Sequence, residues 1–150
     1  MINLSEQERW MLYALEEAHK ALKLDEVPIG AIIVNKDKII GRGFNQVESL
    51  NDATAHAEMI AITSAANTAD DWRLNGCSIY VTKEPCLMCF GAILNARIEN
   101  LYYGMADSDK GFKELEEVNN LPMSHLNYIK GNVLESESKK IIQDFFKKKR

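Results

Sequence analysis

The chain of 150 residues has only three cysteines, Cys77, Cys86 and Cys89. Three are too few and too unevenly spaced for a disulfide framework, and a reducing compartment keeps them as thiols. Nowhere is there a run of about eighteen apolar residues, which excludes a hydrophobic spanning helix and leaves no membrane partner to expect. The opening MINLSEQERW lacks the basic start and apolar stretch of a secretory signal, so a cytoplasmic location is expected. No internal repeat, low-complexity tract or linker breaks the pattern. The length suits one domain over residues 1–150, and 46% hydrophobic with 27% charged residues is enough for a real core.

Positive charge is scarce except at one end. Residues 130–150 carry seven Lys/Arg against three Asp/Glu, a local +4, and the net charge of -4 therefore leaves -8 for the rest. Two readings of the terminal KKKR stand side by side: cations at the negative end of a helix dipole, or a local phosphate-contacting patch. The acidic remainder argues against indiscriminate binding along duplexes, not against a local contact with a structured nucleic acid.

What is present is a regular alternation of elements. SEQE at Ser5–Glu8 is a capping-box pattern, and Met11, Ala14, Leu15, Ala18, Ala21 and Leu22 recur at helical spacing, so a helix is expected over 5–24 with His19 at its surface or boundary. PIGAIIV (28–34) and KIIGRGF (38–44) around NKDK read as an antiparallel hairpin. A loop ending in NDAT precedes a helix over HAEMIAITSAAN. CSIYVT (77–82) is an expected strand, LMCFGAILNA a helix, and IENLYYG (98–104) another strand. Beyond Gly104 a polar segment reads as a loop with one short helix, HLNYIKGNV as a last strand, and LESESKKIIQDFFKKKR as a terminal helix. Its expected apolar stripe is Leu134, Ile141, Ile142, Phe145 and Phe146. Strands alternating with helices imply a layered α/β sheet.

Two short stretches carry chemistry: TAHAEM at 54–59 and TKEPCLMC at 82–89. Catalytic zinc sites use three protein ligands and leave a fourth position open, and one His with two Cys makes three. Pro85 suits the first turn of a helix, so Cys86 and Cys89 fall at that helix's N-terminal end, on one face, where the dipole favours thiolates. His56 and Glu58, two apart, converge only near a helix end. A metal beyond that end would take His56 as ligand, with Glu58 within reach of the attacking water. Two thiolates already neutralise Zn²⁺, so the metal acidifies water less than an all-histidine site and a carboxylate must accept the proton. The same carboxylate returning it to a leaving amine suits hydrolytic loss of ammonia from an amidine-like carbon. A closed structural zinc site competes, and would need a fourth ligand such as His125 or Cys77, although Cys77 after Gly76 reads better as a small core residue. A thioredoxin-like dithiol gives His56 and Glu58 no role.

With H-x-E followed some thirty residues later by P-C-x-x-C, the sequence resembles the cytidine deaminase-like superfamily of zinc deaminases. The similarity spans nearly the whole chain, through DEVPIGAIIV, GRGFN, NDATAHAE, WRLNGCSIYVTKEPCLMCFGAI, RIENLYYG and DFFKKKR. It is strongest to members that convert the wobble adenosine of a tRNA anticodon to inosine. The resemblance implies a three-layer α/β/α fold with a mixed central sheet of about five strands. It implies one Zn²⁺ per subunit held by His56, Cys86 and Cys89, with Glu58 as the proton shuttle. It places Asn45, Pro28, Ile29, Ala57 and Pro85 around the substrate, although Asn45 also reads as a strand-end residue capping a turn. It further implies a homodimer and a tRNA anticodon stem-loop as partner, with RNA contacts from Phe145, Phe146, Lys147, Lys148, Lys149 and Arg150. Phe145 and Phe146 can equally be core, and one of them is expected to be.

Two departures stand out. Ala53 replaces the proline usual before T-A-H-A-E, and FKELEEVNN replaces a Gly/Ser-rich segment beside the substrate groove, where Glu114, Glu116 and Glu117 would repel phosphate. Three functions follow: adenosine deamination in an anticodon loop, deamination of a free base or nucleoside such as guanine or cytosine, or a silent zinc-stabilised interaction module.

Overall fold

The computed structural model describes residues 3–115, 118, 121 and 125–149. Helix α1 (Glu6–Lys23) begins at Ser5, whose hydroxyl accepts the Glu8 N–H while the Glu8 carboxylate accepts the Ser5 N–H, the reciprocal cap expected from SEQE. Strands β1 (Gly30–Asn35) and β2 (Lys38–Phe44) form the hairpin, turning through Lys36 and Asp37 at φ 48° and 63°. After the one-turn helix α2 (Val47–Leu50) come α3 (Ala57–Ala69), β3 (Ser78–Lys83), α4 (Leu87–Asn95) and β4 (Asn100–Met105). A 3-10 turn at Phe112–Glu114, β5 (Tyr128–Lys130) and α5 (Glu135–Lys148) complete the chain.

The five strands lie in the order β2-β1-β3-β4-β5, antiparallel through β3 and parallel from β3 to β5, a mixed sheet as expected. Alternation along each strand sorts the side chains to two faces. Ala31, Ile33, Ile79, Val81, Leu101 and Tyr103 face α3 and α4. Ile32, Val34, Tyr80 and Tyr102 face Met11 and Ala14 of α1, while Ala18 of α1 packs with Ile141 and Ile142 of α5. The result is the three-layer α/β/α arrangement. A Cβ on Gly43 would lie 2.3 Å from the Ala57 carbonyl oxygen, so glycine there lets the head of α3 close onto the sheet.

The structure refines several sequence expectations. β4 starts at Asn100 rather than residue 98, because Arg97 adopts φ 63° and the buried Ile98 donates its N–H to Ile93 at the end of α4. Helix α2 lies in what reads as loop. In α5, Ile141, Ile142 and Phe145 are buried but Phe146 is 45% exposed, and Leu134 is an αL residue ahead of the helix. Ser138 is buried in their company, because β4 approaches so closely at Gly104 that a Cβ there would sit 2.3 Å from the Ser138 hydroxyl. His19 is exposed, while its neighbour Glu17 is buried and paired with Lys20 and Arg42.

Candidate active site

The N-termini of α3 and α4 meet at one point. His56 is the N-cap residue of α3 and Cys86 that of α4, both in extended conformation and neither spending its side chain on a capping hydrogen bond. Cys89 sits three residues into α4 and Glu58 in the first turn of α3. The Nδ1 of His56 lies 3.7 Å from the Cys86 sulfur and 3.5 Å from that of Cys89. All three ligand atoms fall within 4.8 Å of one another, and neither His125 nor Cys77 joins them. Cys77 instead lies in the core beneath α3 and α4.

This donor set fits zinc. A tetrahedral ion with Zn–S of about 2.3 Å and Zn–N of about 2.0–2.1 Å separates sulfur from nitrogen by about 3.6 Å, close to both contacts in the protein. Among the described residues three candidate ligands, rather than four, come together, which matches an open, catalytic site.

Electrostatics at this point are unusual. Burial pushes the Glu58 carboxyl up to about 7, against the opposing pull of its own backbone N–H and of His56. The Cys89 thiol, donating to the Cys86 sulfur, and the adjacent His56 hold Cys86 down at about 3. Cys89 is correspondingly pushed up, by Cys86 first and then by burial and Glu58, and contact with Cys86 raises His56. Protons are thus already shared unevenly among the four groups, and a metal binding to the thiolates and imidazole would displace those on the ligands.

Around this floor opens a cleft of about 950 Å³. It lies where the N-terminal end of β1 runs beside the C-terminal end of β3: Gly30 donates its N–H to the Thr82 hydroxyl, and Asn45 at the end of β2 donates to the Ile29 carbonyl. One wall holds Val27, Ile29, Asn45 and Val47; the other holds Lys83, Glu84, Asp107 and Lys110. Leu24, Asp25, Phe145, Phe146 and Lys149 line it as well, so the terminal helix reaches the cleft.

Of the residues expected around substrate, Asn45, Ile29 and Ala57 line the cleft, whereas Pro28 and Pro85 are buried outside its lining. Asn45 is also a turn residue, donating from Nδ2 to the Val27 carbonyl and accepting from the Val47 N–H. Phe145, Phe146 and Lys149 line the cleft, and the Lys149 ammonium is engaged by Asp25. Lys147 and Lys148 are exposed away from it; Arg150 lies outside the described residues, as do Glu116 and Glu117, while Glu114 is exposed.

Sequence reading missed two buried carboxylates in the walls. Glu26, 1% exposed, accepts hydrogen bonds from the N–H of Glu48 and from the N–H and hydroxyl of Ser49. Glu84, 4% exposed, accepts from the N–H of Asp107 and of Lys113. The available signal was an acidic residue shortly before a proline in both DEVP and KEP.

Comparison with known proteins leads to the same chemistry. Residues 5–150 match the family of MafB19-like deaminases, and the chain belongs to it, in keeping with the resemblance to the zinc deaminases. Within that class the chain is 46% identical over 143 residues to the tRNA-specific adenosine deaminase of Buchnera aphidicola subsp. Schizaphis graminum, with 94% of each chain covered. A solved structure from work on A-to-I editing by tRNA:A34 deaminases at the wobble position of transfer RNA superposes with a TM-score of 0.82 at 42% identity, over 89% of this chain and 98% of that one. The guanine deaminase of Bacillus subtilis is 36% identical with a TM-score of 0.66, over 70% of this chain and 68% of that one.

Proposed function

We propose that residues 1–150 form one zinc-dependent deaminase domain that hydrolyses the wobble adenosine of a tRNA anticodon to inosine, acting as a cytoplasmic homodimer with one Zn²⁺ per subunit. The observation that carries the reading is the buried Glu58 carboxyl beside His56, Cys86 and Cys89 on the floor of an open cleft. A carboxyl group fixed at that point can both accept and return a proton, as deamination requires. No helix among the described residues is long and apolar enough to cross a membrane.

His56, Cys86 and Cys89 would hold the ion. When bound, zinc supplies Lewis acidity that eases ionisation of water near neutral pH. Glu58 takes a proton from the attacking water as oxygen adds to C6 of adenine. It then delivers that proton to the exocyclic nitrogen, the C6–N bond breaks, and ammonia leaves with inosine remaining. The walls from Asn45 to Val47 and from Lys83 to Lys110 hold the base.

An anticodon loop presents its bases poorly stacked, so extruding one into a cleft costs little. A cleft this open, lined in part by the exposed Phe146 ring and the last turns of α5, has room for neighbouring nucleotides as well as the target. The likeness to a guanine deaminase supports a second reading, with a free base as substrate. Both are tested by incubating the zinc-loaded protein with an ACG-anticodon tRNA transcript and scoring inosine at the wobble position, with free adenosine, guanine and cytosine in parallel. Inosine in the tRNA alone supports the first reading; turnover of a free base with the tRNA unchanged supports the second.

A further inference from the structure

The wall carrying Asp107 and Lys110 has no strand or long helix to hold it. Its chain runs from the end of β4 to the 3-10 turn, where Phe112 enters the core, and the backbone ahead of that anchor is secured to residues 83–86. Glu84 Oε1 accepts the Asp107 N–H at 3.1 Å and Oε2 accepts the Lys113 N–H at 2.9 Å. Lys83 Nζ reaches Asp107 Oδ2 at 3.1 Å. Phe112 donates its N–H to the Pro85 carbonyl at 3.0 Å, and Cys86 pairs with Gly111 in an isolated bridge. At Gly111 a Cβ would lie 2.3 Å from Glu84 Oε2, so the loop can seat on the carboxylate only with glycine there.

Glu84 lines the cleft, yet it belongs to neither the metal-ligating group nor the proton path. Both of its oxygens are occupied by N–H donors of the loop, which leaves it poorly placed to serve as a second acid or base. A carboxylate suits this task because both of its oxygens accept. An amide at the same place would accept with one atom and turn an NH₂ toward the other N–H donor, leaving that donor unmatched.

We propose that Glu84 is a positioning residue: it seats the 106–113 loop on the Pro85–Cys86 turn, so that the substrate-facing wall and the metal-ligating helix head keep one geometry. This rests on the deaminase reading of the cleft. Loosening the loop displaces Asp107 and Lys110, which face the cleft, while His56, Cys89 and Glu58 stay seated on α3 and α4.

The test uses the full zinc-loaded chain with Glu84→Gln, and independently Gly111→Ala, which disturbs the same contact from the loop side. Three quantities are read: zinc content, backbone amide exchange, and steady-state kinetics on an ACG anticodon stem-loop. Both variants should keep wild-type zinc content and exchange the Asp107 and Lys113 amides about tenfold faster, with the β1 and β3 amides unchanged. KM should rise about tenfold while kcat falls less than about threefold, and the double variant should be no worse than either single one. Faster exchange spread over the whole sheet, loss of zinc, or unchanged kinetics despite a loosened loop would each overturn the proposal. If the wild-type protein turns over neither RNA nor free bases, the functional reading fails by itself, and local against global exchange still decides whether Glu84 seats the loop.

Discussion

On one wall of the cleft Glu26 takes three hydrogen bonds from Glu48 and Ser49; on the other Glu84 takes two from Asp107 and Lys113. The segments they hold differ in what else supports them. Helix α2 buries none of its residues, so little besides Glu26 ties it down. The opposite loop also sends Phe112 into the core, where its ring stacks on Phe90 with centroids 4.1 Å apart and meets Tyr103 edge-on. One wall is therefore held chiefly by a charge and the other by a charge together with an aromatic wedge. Neither carboxylate belongs to the group of His56, Glu58, Cys86 and Cys89, which sits on the two helix ends between them. This division separates binding geometry from chemistry: the walls can be altered with the floor left in place.

The largest effect expected tests that separation. Glu58→Ala should keep zinc and fold but lower turnover by about 10²–10⁴, the range for losing a positioned acid–base group, while amide exchange in both walls stays at wild-type rates. A wall that loosened in that variant would show that floor and walls are not independent. Next, Glu26→Ala removes the buried carboxylate that accepts these charged hydrogen bonds and should cost about 2–3 kcal/mol, measured by denaturant unfolding, with the fastest new amide exchange at Glu48 and Ser49. Phe112→Leu, on the better-supported wall, should cost about 1 kcal/mol, because volume is largely kept and only the ring stacking is lost. If Phe112→Leu destabilised more than Glu26→Ala, the ranking of the two walls would be reversed.

A gentler probe is pH. Burial would raise the Glu26 carboxyl, as would the neighbouring Asp25, but the hydrogen bonds from Ser49 and Glu48 prevail and hold it below its ordinary value of 4.5. A depressed folded-state value means that its contribution is complete above 4.5 and fades as pH falls through the folded value. Exchange at Glu48 and Ser49, corrected for the intrinsic pH dependence, should therefore accelerate on acidification below about pH 4.5. The smallest effect on stability should come from deleting residues 147–150, since the exposed Lys149–Asp25 pair contributes under about 1 kcal/mol. Binding of the tRNA should weaken and lose part of its salt dependence, measured from 50 to 200 mM salt, while turnover of a free base is unchanged.

Much of this molecule is legible in one dimension because the signals are local. The capping box at Ser5 and the two-residue turn at Lys36–Asp37 each depend on neighbours within a few residues; the helix expected to start with Pro85 in its first turn begins instead at Leu87, with Cys86 as N-cap and Pro85 just ahead of it. The pairing of H-x-E with P-C-x-x-C is likewise readable, since N-cap placement follows from the flanking pattern and both ends present ligand types. What escaped is what distant residues decide. Val47–Leu50 is too short to be helical on its own propensity and is held by a carboxylate more than twenty residues away. Whether Phe145 or Phe146 enters the core depends on how α5 is rotated against α1 and the sheet, which apolar spacing alone left open.

Composition and local pattern thus determined the order of the elements, the alternation that splits the sheet into two packed faces, and which residues, His56, Glu58, Cys86 and Cys89, are brought to the two helix heads. They act through backbone dihedrals, caps and side-chain periodicity, which the chain carries with it wherever it goes. Only the tertiary structure decided that Glu26 and Glu84 are wall-builders rather than solvated surface charges. It also engaged Lys149 with Asp25 instead of leaving its ammonium free for phosphate. Burial and partnership of a charged side chain are set by which segments meet in space, and that information is spread over the whole fold rather than written beside the residue.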